Sequence, residues 1–364
     1  MQDKTVVVAM SGGVDSSLAA VLLREQGYNV IGITLQVWPV QAMNATEPKA
    51  CCSLAAVNDA RTVADRIGVP HYVLNFRDVF AAEVIDYFTA EYAAGRTPNP
   101  CVACNRRIKF GRLLLKAKEL GADYLATGHY ARVQRDDPTG RYLLLRAADR
   151  HKDQSYALYA LTQEQLCHSL FPLGGLTKAA ARRMAAEKGL SVADKPDSQE
   201  ICFIPDNNYN LFLRGRIPAA IREGPIIDTA GKRLGTHRGL PFYTVGQRKG
   251  IGIAADAALY VVELRPADNT LVVGPRAEVY GRKLRAIDTN FIPFPKLGEE
   301  IRVTAKIRYN MKEATAVLRP VENNNVILSF DEPQWAITPG QTAVFYSGDS
   351  VVGGGTIEEK LDGK

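Results

Sequence analysis

The sequence predicts an α/β protein: a doubly wound parallel sheet over residues 1–208, a small, mostly β segment over 209–279 and a β-barrel over 280–364. Three observations carry this reading. Strand-like and helix-like patterns alternate from residue 4 to about 130, the order that builds a parallel sheet covered by helices. After about residue 208 helical periodicity fades and Gly/Pro punctuation rises. From about residue 280, short alternating runs recur at the spacing of an all-β barrel.

The elements follow in order. Val6, Val7, Val8 and Ala9 form an apolar run that reads as a buried parallel strand. It ends in Met10-Ser11-Gly12-Gly13, after which Val14, Asp15 and Ser16 open a helix with Leu18, Ala19, Val21, Leu22 and Leu23 on its apolar face. Glycines let backbone N–H groups approach an anion, and a helix N-terminus adds partial positive charge, so the expected ligand is a phosphate. No Gly-Lys-Ser/Thr follows, which excludes the Walker pattern, and the glycine spacing is not that of a dinucleotide fold. Asn29 to Val37 reads as the second strand and Trp38 to Lys49 as a polar loop over the site. Ser53 to Ile67 reads as a helix with Leu54, Val57, Ala60, Val63, Ala64 and Ile67 on one stripe. His71 to Asn75 is a third strand, Phe80 to Tyr92 a helix, Arg106 to Leu120 a basic helix, and Tyr124 to Tyr130 a fourth strand running into a loop. Ligands of such sheets gather at the carboxyl ends of the strands, where Ser11, Leu35 and Gly128 fall. A hairpin is expected around Asp136–Gly140 and a helix over Thr162–Gly189, broken at Lys195-Pro196-Asp197-Ser198. Turns at Ala230-Gly231 and Asp268-Asn269 join strand pairs in the central segment. Arg302–Tyr309, Ala314–Leu318, Asn325–Phe330, Ala343–Tyr346 and Val351–Glu358 are the expected barrel strands.

Composition narrows the function classes. With 46% hydrophobic and 23% charged residues the chain has the balance of a globular protein, and no apolar run reaches membrane-spanning length, so no membrane partner is expected. No signal peptide is visible at Met1–Lys4, and the expected compartment is the cytoplasm. The formal charge of +6 is uneven. Residues 205–312 carry 18 Lys/Arg against 10 Asp/Glu, whereas residues 313–364 carry 3 against 8. The basic middle suits a polyanionic partner. Six cysteines, at 51, 52, 101, 104, 167 and 202, are too few for a disulfide scaffold and point to catalysis or metal binding, with Cys167 expected in the core. Cys104 stands next to the expected start of a basic helix, where the dipole and Arg106, Arg107 and Lys109 would lower a thiol pKa.

Ser11-Gly12-Gly13-Val14-Asp15-Ser16 after a strand resembles the pyrophosphate loop of the N-type ATP pyrophosphatases, which have an adenine nucleotide alpha hydrolase-like fold. The resemblance implies ATP and Mg2+ as ligands, with Ser11, Gly13, Asp15 and Ser16 lining the pyrophosphate and magnesium site. A longer ordered set resembles the tRNA-specific 2-thiouridylase family over essentially the whole chain. It comprises that loop, Gly95–Pro100, Cys104-Asn105 with Ile108–Phe110, Ala126–Tyr130, Lys152–Tyr156, Ile201–Ile204, Gly246–Gly250 and Thr338–Gln341. This likeness implies ATP-dependent 2-thiolation of the wobble uridine of tRNA. ATP adenylates the C2 oxygen, a persulfide forms on Cys202 and Cys104 acts as the nucleophile that completes transfer. It implies ATP contacts from Ala9, Met10, Ser11, Gly12, Gly13, Val14, Asp15, Ser16, Leu35 and Gly128. It also implies base contacts from Asn99, Pro100 and Cys101, and tRNA contacts from His129, Lys152, Asp153, Gln154, Arg308, Tyr309 and Gln341. Arg308-Tyr309 pairs a phosphate-binding cation with a stacking ring, which suits RNA. An upstream sulfur donor, a cysteine desulfurase or a sulfur-relay protein, is the further implied partner.

Cys101 departs from the family, many of whose members carry Asp there. With Cys104 it forms Cys-x-x-Cys, and Cys202 supplies a third thiolate. Three cysteines and an open position suit a 4Fe–4S cluster that would deliver sulfur in the same reaction; zinc binding and persulfide cycling are the alternatives. A non-catalytic tRNA-binding or iron–sulfur scaffold protein is the further alternative, which the intact phosphate loop disfavours. Cys51-Cys52 reads as helix-start packing, with a sulfur-relay or site-lid element as the alternative.

Overall fold

The computed structural model describes residues 4–37, 54–196, 201–204 and 208–361. The expected loop at 38–49, Cys51, Cys52 and the break at Asp197-Ser198 lie outside the described residues. The chain folds as two compact units. The first takes the described residues of Met1–Val84, Cys101–Phe203 and Asp349–Val351; the second takes those of Ile85–Pro100, Ile204–Gly348 and Val352–Lys364.

In the first unit, β1 (Thr5–Ala9), β2 (Asn29–Gln36), β3 (His71–Asn75), β4 (Tyr124–Ala126) and β7 (Ser169–Leu170) form a parallel sheet in the order β3-β2-β1-β4-β7. Val6, Val7 and Val8 are fully buried, as a central strand covered on both faces requires. Helix α1 (Val14–Glu25) packs on α2 (Leu54–Ile67) and on α3 (Lys178–Glu187). The α2 stripe is buried from Ala56 to Ala64, whereas Leu54, expected on it, is 55% exposed. The order reverses between β1 and β4, so their carboxyl ends frame the switch-point crevice.

Two helical expectations change. The stretch 162–189 is not one helix. A short helix, Gln163–Cys167, with a Thr162/Gln165 capping box gives way to β7, and α3 follows only after Pro172, Gly174 and Gly175. A Cβ on Gly174 would lie 1.8 Å from the Ala131 carbonyl oxygen, so this break is fixed by close packing. The basic helix starts earlier than expected. It opens at Pro100–Ala103, winds as a π-helix over Cys104–Leu113 and closes as an α-helix over Leu114–Glu119. Proline at the first helical position fits this start. The hairpin of β5 (Ala131–Arg135) and β6 (Tyr142–Arg146) turns where expected, with Gly140 at φ +68°.

In the second unit, β8 (Gly224–Asp228), β9 (Arg233–His237), β10 (Tyr260–Arg265) and β11 (Thr270–Gly274) form a sheet in the order β10-β11-β8-β9, around both expected turns. Six antiparallel strands follow: β12 (Tyr280–Phe291), β13 (Ile301–Lys306), β14 (Ala314–Pro320), β15 (Val326–Trp335), β16 (Thr342–Ser347) and β17 (Ser350–Lys360). The β12–β17 pairing closes them into a barrel. Its interior is read from period-two sets such as Leu284/Ala286, Val303/Ala305, Ala316/Leu318 and Val326/Leu328/Phe330, all buried. The longest strand, β12, is the one the alternation did not single out.

Candidate active site

The first unit carries the phosphate loop at the carboxyl end of β1. Met10 N–H donates to the Ile33 carbonyl (2.8 Å), continuing the sheet into the loop. Ser16 Oγ accepts from Ser11 N–H (3.1 Å) and donates to the Gly13 carbonyl (3.2 Å), so the loop folds back on the first turn of α1. Gly12 is at φ +67°, and a Cβ there would stand 2.1 Å from the Ala56 carbonyl oxygen of α2. A Cβ on Gly128 would reach 2.7 Å from Asp15 C and Ser16 N, so the loop after β4 lies directly on the phosphate loop. The N-cap of α1 is Gly13, with no side-chain cap, which leaves the N-terminal amides of α1 for an anion. Ser17 Oγ is fully buried and has no hydrogen-bond partner. A glycine cradle and an uncapped helix start fit a phosphate-bearing ligand. Leu35 lies near the carboxyl end of the adjacent strand β2, in register with Leu74.

Three side chains that sequence reasoning missed brace this loop. Lys178, 8% exposed at the first position of α3, places Nζ 2.8 Å from both carboxylate oxygens of Asp15. Tyr130 Oη donates to Asp15 Oδ1 at 2.9 Å. Lys195 Nζ donates to the Gly12 carbonyl (2.9 Å) and pairs with Asp59 of α2 (2.7 Å), while Arg182 holds the Ala193 and Lys195 carbonyls. One signal was available: Lys178 occupies the same stripe as the buried Ala181 and Ala185, a position an ordinary amphipathic helix fills with an apolar residue.

Several expected tRNA contacts have internal partners. Asp153 is buried; its Oδ1 accepts from Ala147 N–H (3.0 Å) and Oδ2 from Ser155 Oγ (2.7 Å). Gln154 pairs with the Tyr130 backbone through both its own N–H and its Oε1, and so steadies the tyrosine that holds Asp15. Lys152 is half-buried beside them. His129 bonds Thr127 Oγ1 through Nδ1 (2.6 Å) and clusters with the rings of Phe110 and Phe171, which also meet each other. Burial, and then the Lys109 charge, hold its pKa well below the ordinary histidine value, so it is neutral at pH 7. The unfolded chain therefore binds more protons than the native one below about pH 6.5, and this part of the stability is complete above that pH and lost as pH falls. Wild type should lose up to about 1.4 kcal/mol per pH unit below 6.5 relative to His129→Gln. Thermal unfolding of the two proteins from pH 7.5 to 5 checks this, and parallel curves would refute it.

The cysteines are placed as follows. Cys101, exposed, stands in the first turn of the helix that opens at Pro100, and Cys104, half-buried, one turn on. Because the dipole acts within the first turn, its benefit falls on Cys101 and not on Cys104, as the later start had implied. Cys202 is half-buried, next to Phe203, whose ring meets Phe80 edge-on at 5.7 Å. Cys167 is not a core residue. It ends a surface helix with Sγ at 3.1 Å from the Glu164 carbonyl, and burial raises its pKa. The structure gives the three-thiolate expectation no support: among the described residues no group of three or more His, Cys, Asp or Glu side chains is placed to hold a metal ion.

In the second unit, two motifs more than 240 positions apart meet. Gln341 Nε2 donates to the Thr97 (2.8 Å) and Pro98 (3.3 Å) carbonyls, and Thr97 N–H donates to the Pro339 carbonyl (2.9 Å). Gln341 thus holds the segment that leads into Asn99 and Pro100. Arg308 donates to the Val245 carbonyl (2.9 Å) and Thr338 Oγ1 (2.7 Å) in the turn after β13, and its neighbour Tyr309 is 42% exposed.

A parallel sheet with a phosphate-type loop at its switch point defines a nucleotide-binding α/β protein. Family models match along nearly the whole chain: a tRNA methyl transferase HUP domain over residues 4–206, a tRNA methyl transferase PRC-barrel domain over 210–275 and an aminomethyltransferase β-barrel domain over 281–357. The chain is 59% identical over 361 residues to the tRNA-specific 2-thiouridylase MnmA of Heliobacterium modesticaldum, covering 99% of this chain and 94% of that protein. It is 56% identical over 352 residues to that of Moorella thermoacetica, covering 97% and 99%. The chain belongs to the tRNA-specific 2-thiouridylase family and is an enzyme. No described helix is long and apolar enough to cross a membrane.

Proposed function

We propose that the protein thiolates carbon 2 of the wobble uridine of tRNA in the cytoplasm, using ATP and sulfur from an upstream desulfurase or relay protein. The observation that carries this reading is the intact Ser11–Ser16 loop, braced by Lys178 and Lys195, in a chain 59% identical to a tRNA-specific 2-thiouridylase. Residues 1–208 carry the chemistry, 209–279 bind tRNA, and 280–364 add the barrel that bears Arg308, Tyr309 and Gln341.

The C2 oxygen of uridine is a poor leaving group, and adenylation makes it a phosphate ester that departs as AMP. The loop amides and the α1 N-terminus hold the phosphates during that step. Magnesium would be carried in on the nucleotide phosphates and held chiefly by their oxygens, since Asp15, the one carboxylate of the loop, has both oxygens on Lys178. The terminal sulfur of a Cys202 persulfide then attacks C2 and AMP leaves. The Cys104 thiolate attacks Cys202 Sγ, the sulfur–sulfur bond breaks, 2-thiouridine is released and a Cys104–Cys202 disulfide remains, to be reduced by an external thiol. By this reading Asn99, Pro100 and Cys101 meet the base, and His129 and Lys152 are tRNA contacts.

The test is pyrophosphate release from ATP together with 2-thiouridine formation, with and without tRNA. Release that requires tRNA and accompanies thiolation is expected. Its absence with competent tRNA and a sulfur source would sink the reading.

A further inference from the structure

Asp15 is a carboxylate standing in the first turn of α1, within the loop that is to accept a polyanion. Left alone it would repel the phosphates it borders, and the helix N-terminus offsets only part of a unit charge. The structure supplies the rest. Lys178 is fixed at both ends: its backbone N–H donates to Asp149 Oδ2 (2.9 Å), and its Nζ sits symmetrically on the two Asp15 oxygens at 2.8 Å. Thr177 caps α3 through Ala180 N–H, so Lys178 opens a well-formed helix. Ala181 and Ala185 continue the same buried stripe, and these small side chains suit the packing of α3 on α1. Tyr130 Oη fills a further lone pair of Asp15 Oδ1, and the Lys178 ammonium lies 5.7 Å from the centre of that tyrosine ring.

We propose that Lys178 is a positioning residue for nucleotide binding. Its ammonium cancels the Asp15 charge and holds the carboxylate plane, so that the phosphate loop accepts a polyanion. The proposal rests on the ATP reading and goes beyond it by assigning the charge balance of the loop to a residue 163 positions away. Lys178 is buried and Asp15 half-buried, so removing the lysine alone strands the carboxylate's charge beside the loop, whereas removing both together is better tolerated.

Calorimetric binding of inorganic pyrophosphate, ATP and adenosine to the full-length protein tests this. Wild type should bind pyrophosphate and ATP. Lys178→Met should weaken both at least tenfold and leave adenosine affinity within twofold, a pattern that general unfolding would not give. Lys178→Arg, which keeps the charge, should stay within about fivefold of wild type. The double variant Asp15→Asn/Lys178→Met should bind pyrophosphate at least threefold more tightly than Lys178→Met, and it keeps the test open if the single variant does not fold. Pyrophosphate affinity of Lys178→Met within twofold of wild type would overturn the proposal while leaving the ATP reading standing. So would a double variant that binds pyrophosphate no better than the single one, or, where the single one does not fold, a double variant that binds none. Wild type that binds neither pyrophosphate nor ATP would overturn both.

Discussion

Gly12→Ala is expected to abolish ATP binding, weakening it by about 100-fold or more, or at least about 2.7 kcal/mol. Two costs act at this position. At φ +67° an alanine pays about 1 kcal/mol for the left-handed backbone. Its Cβ would also lie 2.1 Å from the Ala56 carbonyl oxygen and 2.8 Å from Ala56 Cα, both backbone atoms that cannot rotate away. Either the loop or the start of α2 must move. Any loop movement disturbs the Lys195 bond to the Gly12 carbonyl and the Ser11–Ser16 bond that shapes the anion cradle. Gly68→Ala carries the first cost alone, so the difference between the two variants isolates the second. Gly68 has the same φ of +67°, but nothing lies within 4 Å of its added Cβ. That variant should lose about 1 kcal/mol of stability and keep its ATP affinity. Equal ATP affinities in the two variants would show that close approach to α2 does not shape the site.

What the sequence made legible divides along physical lines. The β1–loop–α1 unit was legible because its signals are local: an apolar run, glycines where only glycine fits, and an apolar helix face. The barrel was legible because period-two alternation survives in Val303/Ala305, Ala316/Leu318 and Val326/Leu328/Phe330. The short edge strand β7 was hidden inside a helix-like pattern, since two residues are too few to show a period. The helix start at Pro100 was missed because Pro98 and Pro100 read as loop punctuation, although proline also opens helices. The braces on the loop were out of reach for another reason. Lys178 and Lys195 act on residues more than 160 positions earlier, and Gln341 on carbonyls 244 and 243 positions earlier. Such pairings depend on tertiary packing, not on any local pattern. The same distance explains Asp153 and Gln154, whose motif marks them without revealing that their side chains face inward to Ala147, Ser155 and Tyr130.

The largest effect belongs to the thiols. On the proposed mechanism, Cys202→Ser should lower 2-thiouridine formation by about a thousandfold or more, because serine cannot carry the persulfide from which that mechanism draws its sulfur. Adenylation does not use that thiol, so one tRNA-dependent turnover of pyrophosphate release should persist. Cys104→Ser should lose the product to a similar degree yet still accumulate a persulfide on Cys202, seen as an added sulfur mass on the peptide that contains it. These two signatures separate carrier from nucleophile, which a simple loss of activity does not. Cys101→Ser is the discriminating third variant. Cys101 is exposed, and among the described residues it joins no group of three metal-ligating side chains. It should therefore retain thiolation within about tenfold, the cost of a changed contact beside the base and not of a lost sulfur carrier. A collapse of Cys101→Ser equal to that of Cys202→Ser, in protein that still folds and releases pyrophosphate, would mean that three thiols act as one unit. The two-thiol exchange would then be the wrong description of the chemistry.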